Sequence, residues 1–241
     1  MICAHWTVSD NFGDKLAPWI INKLQRQWPV VWVTPQFTSG YYVLGGSILN
    51  HAGPTARVWG AGIATLTDGI NTEAQLLAVR GPLTRARALS CGAKCPPIYG
   101  DPGFVLPLLY QPKSAKTHDI GYVPHYVDQF RVHQRHPQAK IINVLDPIEK
   151  VIEDIHSCRK IASSSLHGLV VAMAYKIPSA WVRWSDSIGG DGTKYRDVFM
   201  SCGLDVPNAF DSRESSQDIS DRYFVCGTPD VNALREACPI K

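Results

Sequence analysis

The chain has 241 residues, of which 45% are hydrophobic and 19% are charged, and its formal net charge is +3. This length allows one large domain or two smaller ones, and this composition is typical of a soluble globular protein. The charge is too small to indicate a nucleic-acid-binding protein, but it suits an anionic small substrate or an anionic membrane surface.

The chain begins without a basic segment followed by an apolar stretch, and it contains no run of 18 apolar residues. We therefore expect neither a secretory signal nor a membrane span, and we expect a cytoplasmic protein. The seven cysteines have no regular spacing, which favours free thiols. We expect no metal site, because no group of His, Cys, Asp and Glu has ligand spacing.

Short apolar runs alternate with helix-like stretches from the start of the chain. The pattern predicts two helices, at 14–28 and 81–92, and strands at 2–8, 30–33, 41–46, 57–63 and 76–80. Pro82 in the first turn and Gly92 past the end are typical of the second helix. A short strand, a Gly-Asp-Pro turn and an apolar segment follow over 97–110.

A polar stretch at 111–118 reads as a linker, and a second alternating series follows it. Strands are predicted at 119–124, 139–144, 160–163 and 179–184, and helices at 126–136, 147–158, 164–175, 194–203 and 230–238. Alternation of this kind predicts parallel sheets covered by helices. We therefore expect an α/β protein with two Rossmann-like domains facing a cleft, at residues 1–112 and 113–241.

Glycine, small polar residues, arginine and histidine follow the predicted strands. In open α/β sheets, ligands bind beyond the carboxyl ends of the strands. This enrichment predicts the functional site at that edge, in the segments SDNFGD (9–14), LGGS (44–47), GAGI (60–63), RGPLTR (80–85), YGDP (99–102), PHY (124–126), SSSLHG (163–168) and SIGGDGTKYR (187–196).

The serines at 163–165 stand where the helix of 164–175 begins. Serine at this position caps free N–H groups, and a helix N-terminus attracts anions. His167 in the first turn would add a proton donor. The alternative is that the serines only cap the helix and that His167 only bonds a carbonyl.

Arginines follow the fifth predicted strand. Arg80 and Arg85 could hold a phosphate or a carboxylate by paired hydrogen bonds. A solvated helix face is the alternative for Arg85, whereas Arg80 needs a partner because it ends an apolar strand.

Two other loops have one functional and one structural interpretation each. Asn11 and Gly13 would bring backbone close to a ligand, while Asp14 would cap a helix or orient a sugar hydroxyl. The glycines of LGGS resemble a phosphate loop only weakly, and no nucleotide-binding fingerprint is present. Tight turns explain these loops equally well.

Two further residues lie at turns. Asp101 stands where Asp commonly bonds its own backbone. His125 would be either an edge histidine or a ligand contact.

Taken together and in order, these motifs resemble the polysaccharide pyruvyl transferase family. They are NFGD, LGGSIL, VWGAGI, AVRGPLTRARAL, YGDPGFVLP, IGYVPHYVD and ASSSLHGLVVAMAYKIP, within residues 8–200. The resemblance implies a glycosyltransferase-B-like fold with the acceptor on the N-terminal side and the donor on the C-terminal side. It implies transfer of pyruvate from phosphoenolpyruvate to two hydroxyls of a sugar, forming a cyclic ketal without a cofactor.

The family grips its donor with an arginine and a Leu-His pair, which Arg80 and the pair Leu166–His167 match here. Ser165 stands where some relatives have arginine, so Lys194 or Arg196 is expected to supply that charge. The resemblance makes His167 the expected general acid, with Asp14 or Asp101 taking the hydroxyl proton. The expected substrate-binding residues are Asn11, Gly13, Gly45, Gly46, Arg80, Arg85, His125, Ser164, Ser165, Leu166 and Lys194.

Two other functions stay open at this point. A nucleotide-sugar glycosyltransferase usually needs an acidic residue for the ribose, but 168–185 contains no Asp or Glu. A non-catalytic carbohydrate-binding protein would use some of the seven tryptophans, such as Trp181 and Trp184, to stack on sugars. The expected partners are phosphoenolpyruvate and a sugar or lipid-linked oligosaccharide, with peripheral association at the inner membrane surface and no nucleic acid.

Overall fold

A computed structural model describes residues 1–206, 208–212 and 219–240. The N-terminal part contains three α-helices, α1 (Phe12–Leu24), α2 (Pro82–Ser90) and α3 (Leu106–Leu109). Its strands are β1 (Ile2–His5), β2 (Val30–Trp32), β3 (Tyr41–Leu44), β4 (Ala56–Trp59) and β5 (Gln75–Ala78). Short 3-10 helices lie at Leu49–His51 and Pro102–Val105.

The C-terminal part repeats this alternation. Its strands are β6 (His118–Val123), β7 (Lys140–Ile141), β8 (Cys158–Ser163), β9 (Ser179–Arg183) and β10 (Phe210–Asp211). Its helices are α4 (Gln129–Arg135), α5 (Ile148–His156), α6 (Leu166–Ala174), α7 (Thr193–Ser201) and α8 (Val231–Glu236), with 3-10 helices at Tyr126–Asp128 and Asp221–Tyr223.

The described strands form two five-stranded sheets with the same topology. The N-terminal sheet has the order β2-β1-β3-β4-β5 and the C-terminal sheet the order β10-β9-β8-β6-β7. All strand pairs are parallel. Counted from the first strand of each, both sheets have the order 2-1-3-4-5, a doubly wound arrangement. The predicted α/β class and its two Rossmann-like series are confirmed.

Several predicted boundaries differ from the structure. The predicted strands 2–8 and 57–63 end early, at His5 and Trp59, because polar and glycine-rich segments follow. Pairing in the predicted strand 139–144 is limited to β7, and the predicted strand near 97 is a single bridge between Val79 and Tyr99. The prediction that Asp14 caps α1 is wrong, because Asn11 caps it by accepting from the Gly13 N–H at 3.0 Å.

One apolar core connects the two sheets. Its buried members come from both parts of the chain, including Phe12 and Ile20 of α1, Val151 of α5 and Leu169 of α6. Burial of such side chains contributes about 1.5–3 kcal/mol each. Eight of the nine residues of α6 are buried, and the ninth is His167. Among the described residues, no helix is long and apolar enough to cross a membrane.

The segment predicted as a linker is tied to the fold at its centre. The backbone N–H groups of Lys113 and Ser114 donate to the carboxylate of Glu153 at 3.0 and 2.9 Å. Burial opposes ionisation of that carboxyl group, but these hydrogen bonds and one from the Tyr110 hydroxyl lower the pKa of Glu153 to about 2.

The last described helix returns to the N-terminal sheet. The indole N–H of Trp59 on β4 donates to the carbonyl of Leu234 on α8 at 2.8 Å. The domain boundary between residues 112 and 113 stays a prediction. Helix α8 lies on the C-terminal side of that boundary in sequence but contacts the N-terminal sheet.

A buried ion pair joins the N-terminal sheet to α7. Arg80 follows β5, and its Nε lies 3.3 Å from Oδ2 of Asp197, with neither side chain exposed. The other carboxylate oxygen of Asp197 accepts the backbone N–H groups of Leu83 and Thr84 at 2.9 and 3.2 Å. An acid of α7 thus serves as the N-terminal cap of α2.

We predict that Asp197→Asn lowers the free energy of unfolding by about 3–5 kcal/mol, because it leaves the Arg80 charge buried without its counter-ion. Urea unfolding measures the change. Asp221→Asn is the control, since Asp221 pairs with Lys160 at 2.7 Å but is 86% exposed, and it should leave stability nearly unchanged. Equal effects of the two substitutions would contradict the prediction.

Candidate functional site

Loops at the carboxyl ends of both sheets meet at a small group of charged side chains. The backbone N–H of Phe12, after β1, donates to the carbonyl of Val144, after β7, at 2.8 Å. Electrostatic interactions across this junction link Asp14 to His125, His167 and Lys194. We call these four residues, with Arg80 and Asp101, the charged cluster.

A histidine-carboxylate contact lies at the centre of the charged cluster. Nε2 of His167 is 3.6 Å from Oδ2 of Asp101, and the side chains are 11% and 2% exposed. The other oxygen of Asp101 accepts the Gly103 N–H at 2.8 Å, as the turn of YGDP predicts. Asp101 therefore lies fixed beneath the imidazole, which is the less deeply buried of the two groups.

The neighbouring charges hold a proton on His167. Burial alone would lower the pKa of His167, but the carboxylates of Asp101 and Asp14 raise it above the usual range. Burial likewise opposes ionisation of Asp101, yet His167 and the Gly103 N–H bring the pKa of Asp101 below its usual range. The pair is thus a charged imidazolium against a carboxylate over a wider pH range than a free histidine allows.

Gly13 provides the space that the imidazole occupies. A Cβ at this position would lie 2.6 Å from Cγ of His167, which no side chain could tolerate. The ring also packs edge-on against Phe12, with centroids 6.4 Å apart. The described structure thus brings Gly13 against His167, rather than against open space for a ligand.

The three serines before α6 are committed to the protein itself. The hydroxyl of Ser163 donates to the carbonyl of Val123 at 2.8 Å, and Ser165 caps α6 by accepting from Gly168 at 3.4 Å. All three serines are at most 2% exposed. The expected capping of α6 is confirmed for Ser165, and Leu166, which follows, is buried in the core.

Ser164 positions the neighbouring histidine. Its hydroxyl donates to Asp128 at 3.0 Å and accepts the backbone N–H of His125 at 2.9 Å. The Tyr195 hydroxyl donates to the Ser164 carbonyl at 2.6 Å. The loop with His125 is therefore fixed to the loop with His167.

His125 and Lys194 lie at the half-buried rim of the charged cluster. Burial lowers the pKa of His125, and the positive charge of Lys194 lowers it further. The pKa of Lys194 is lowered by burial and by Arg80, against the attraction of Asp14. An anion bound beside both groups would offset the burial and repulsion that lower their pKa values.

Arg80 is the most deeply buried residue of the charged cluster and does not reach its surface. It is fully buried, and it donates to the Ser47 hydroxyl at 2.7 Å and to the Ile63 carbonyl. Ser47 reaches Arg80 because Gly45 and Gly46 turn the chain with positive φ of 60° and 73°, a conformation that favours glycine. Arg80 acts on the site through its charge and its partners.

Two arginines that the sequence placed at the donor site, Arg85 and Arg196, bind backbone carbonyls outside the charged cluster. The Nε of Arg85 donates to the Cys95 carbonyl at 3.1 Å, and the Nη2 of Arg196 donates to the Asp191 carbonyl at 3.0 Å. Lys194, not Arg196, interacts electrostatically with the charged cluster.

Sequence reasoning missed Asp197 and Asp128, which are both fully buried. The signal for Asp197 was available, because an acid on the apolar face of α7 needs a partner and Arg80 needed one too. Among the described residues, no group of three or more His, Cys, Asp or Glu side chains could hold a metal ion.

Two comparisons with known proteins add to this geometry. A family model described as "Polysaccharide pyruvyl transferase" matches residues 40–187, more than half of the chain. An uncharacterized protein, L143, of Acanthamoeba polyphaga mimivirus is 27% identical over 217 residues, covering 85% of this chain and 75% of the viral protein. Asp14 and Lys194 lie outside the matched range, so their assignment to the site depends on geometry.

We predict that Asp101→Asn lowers the pKa of His167, because it removes the nearest negative charge. A histidine titration followed by NMR measures this pKa. Since the folded pKa is raised, the attraction stabilises the fold below about pH 6.5 and is lost as pH rises through the folded value. The control Asp10→Asn removes an 89%-exposed acid and should not move the His167 curve; a shift as large as that of Asp101→Asn would refute the assignment.

Proposed function

The chain belongs to the polysaccharide pyruvyl transferase family, and we propose that it transfers pyruvate from phosphoenolpyruvate to two hydroxyls of a sugar, giving a cyclic ketal. The observation that carries this proposal is the position of His167. It is the one residue of α6 that is not buried, and Asp101 keeps its proton in place. No cofactor is needed for this chemistry.

The charged cluster suits a small dianion. Phosphoenolpyruvate carries a phosphate and a carboxylate. Protonated His167 and Lys194, with His125 as a hydrogen-bonding neighbour, lie where loops of both sheets meet. The N-terminus of α6 adds a partial positive charge. Arg80 serves as a positioning residue, because it holds Asp197 and Ser47 while adding positive charge below the donor.

His167 is proposed to act as the general acid. Its proton passes to the methylene carbon of phosphoenolpyruvate, and the neighbouring carbon becomes an oxocarbenium centre. A sugar hydroxyl attacks that centre and loses its proton. Phosphate then leaves with its C–O bond electrons, and the second hydroxyl closes the ketal. The two hydroxyl protons balance the new methyl hydrogen and the proton taken by phosphate.

Asp14 is the better of the two predicted bases. Its carboxylate accepts from Ser9 at 2.6 Å and stays half-buried at the rim, where a hydroxyl can reach it. Asp101 is 1% exposed beneath His167, so we assign it to orienting the acid.

The remaining expectations belong to this proposal. They are a glycosyltransferase-B-like arrangement, domains at 1–112 and 113–241, and an acceptor that contacts N-terminal loops such as Asn11–Asp14. The acceptor is a polysaccharide precursor or a lipid-linked oligosaccharide, met on the cytoplasmic side of the membrane.

We predict that the protein releases phosphate from phosphoenolpyruvate only when an acceptor glycan is present, and that His167→Asn lowers the rate by about 10²–10⁴-fold. A phosphate-release assay with mass spectrometry of the glycan measures both. The glycan should gain one pyruvyl ketal.

The matched control is His118→Asn, at the exposed start of β6, which should leave turnover unchanged. Tight binding of a nucleotide sugar instead of phosphoenolpyruvate would indicate a glycosyltransferase. Glycan binding without any phosphate release would indicate a carbohydrate-binding protein.

Exposed apolar side chains next to His125 support the proposed membrane association. Tyr126, Val127 and Phe130 are 49%, 43% and 73% exposed, and Arg131 is exposed beside them on α4, whereas Asp128 is buried. Aromatic and basic residues together favour an anionic lipid interface.

We predict that the protein sediments with phosphatidylserine-containing vesicles and that Phe130→Ser weakens this binding several-fold. Leu108→Ser is the control, because Leu108 is 58% exposed on α3. If both variants sediment like the unmodified protein, α4 does not contact the membrane.

A further inference from the structure

A cavity of about 470 Å³ lies beyond the carboxyl end of β9, beside the charged cluster. Its lining includes Trp181, Arg183, Asp186, Gly189, Tyr195 and Arg196. The ammonium group of Lys194 donates to the carbonyl of Gly189 at 3.1 Å. Lys194 of the charged cluster therefore contacts a residue of the cavity wall. None of the residues that we assign to donor binding lines the cavity itself.

The charges on the cavity wall cancel. Arg183 pairs with Asp186 at 2.7 Å, and Arg196 lies 3.9 Å from Asp191, which also lines the cavity. A dianionic donor requires an excess of positive charge, which the cavity wall lacks. Guanidinium and carboxylate groups side by side instead suit a neutral polyhydroxyl ligand, whose hydroxyls both donate and accept hydrogen bonds.

An aromatic surface completes the wall. The half-buried indole of Trp181 stacks on the Tyr195 ring, with centroids 4.5 Å apart and planes 18° from parallel. Tyr195 is 4% exposed, so it supports the indole from behind, and Trp181 presents the rigid apolar surface, which suits the C–H face of a sugar ring.

A glycine-rich loop lets backbone approach the cavity. Gly190 and Gly192 have positive φ of 102° and 83°, and a Cβ at Gly192 would lie 3.1 Å from Trp181. Substitution at these positions is strained, so the loop brings main-chain groups to the cavity wall where longer side chains would fill it.

We propose that this cavity is a subsite for a neutral sugar of the acceptor glycan, adjacent to the sugar that receives pyruvate. Although the cavity lies on the C-terminal sheet, its loop meets the N-terminal part, where the backbone N–H of Leu66 donates to Asp191 at 3.4 Å, so an acceptor held by N-terminal loops can extend into it. This inference rests on the proposed function. The volume lies within the range of small-molecule sites, roughly 300–1,000 Å³, and has room for one or two sugar rings.

The test measures glycan binding without the donor. The probes are the neutral disaccharides lactose, cellobiose, maltose and mannobiose, and the readout is saturation-transfer NMR with titration. At least one disaccharide should bind the unmodified protein, and the double variant Arg183→Gln/Asp186→Asn should bind it about tenfold more weakly. With the full acceptor and phosphoenolpyruvate, the same variant should raise KM for the acceptor and leave KM for phosphoenolpyruvate unchanged.

The matched control is Lys160→Gln/Asp221→Asn, which removes another 2.7 Å ion pair attached to the C-terminal sheet. The subsite is overturned if no disaccharide binds, or if the two double variants bind equally well. Disaccharide binding that only the cavity variant weakens supports it, even if phosphoenolpyruvate proves not to be a substrate. That last result would remove the pyruvyl transfer proposal alone.

Discussion

The buried pair of Arg80 and Asp197 determines how the two sheets meet. Both charges have lost their water, so each depends on the other and on the hydrogen bonds around them, and small displacements are costly. Asp197 stands on α7, one turn after Lys194, and it also caps α2. Because the Asp197 carboxylate binds both Arg80, which follows β5, and the N-terminus of α2, the position of α7 relative to β5 is fixed. The positions of Lys194 and Tyr195 follow from that attachment.

The site is organised before any ligand arrives. The orientation of His167 follows from the burial of the rest of α6, from the absence of a side chain at Gly13 and from the carboxylate of Asp101. Ser164 then ties the His125 loop to the same helix start. The packing that surrounds these groups is dense, so their arrangement would cost little further entropy on binding the proposed anionic donor.

Local patterns in the sequence predicted the parallel sheets, the helix caps and the edge at which polar loops gather, since these depend on spacing along the chain. Most residues of the charged cluster are also among the strand-end residues that the sequence indicated. The sequence indicated that Arg80 needs a partner, but its burial beneath the site was not predictable, because that burial depends on Asp197, which lies 117 positions later in the chain. Arg85 failed to join the cluster for a similar reason: its partner, the Cys95 carbonyl, is a backbone group that no side-chain pattern reveals.

The hydrogen bond between Trp59 and Leu234 spans 175 positions of the chain. During synthesis, β4 is made long before α8. Until α8 is present, the Trp59 indole lacks this hydrogen bond and an apolar face of the N-terminal sheet stays uncovered. Contacts between residues so far apart in sequence slow folding and increase the time for which aggregation-prone apolar surface is exposed. Helix α8 thus completes the N-terminal sheet, and we expect nascent chains that end before residue 234 to expose this apolar face.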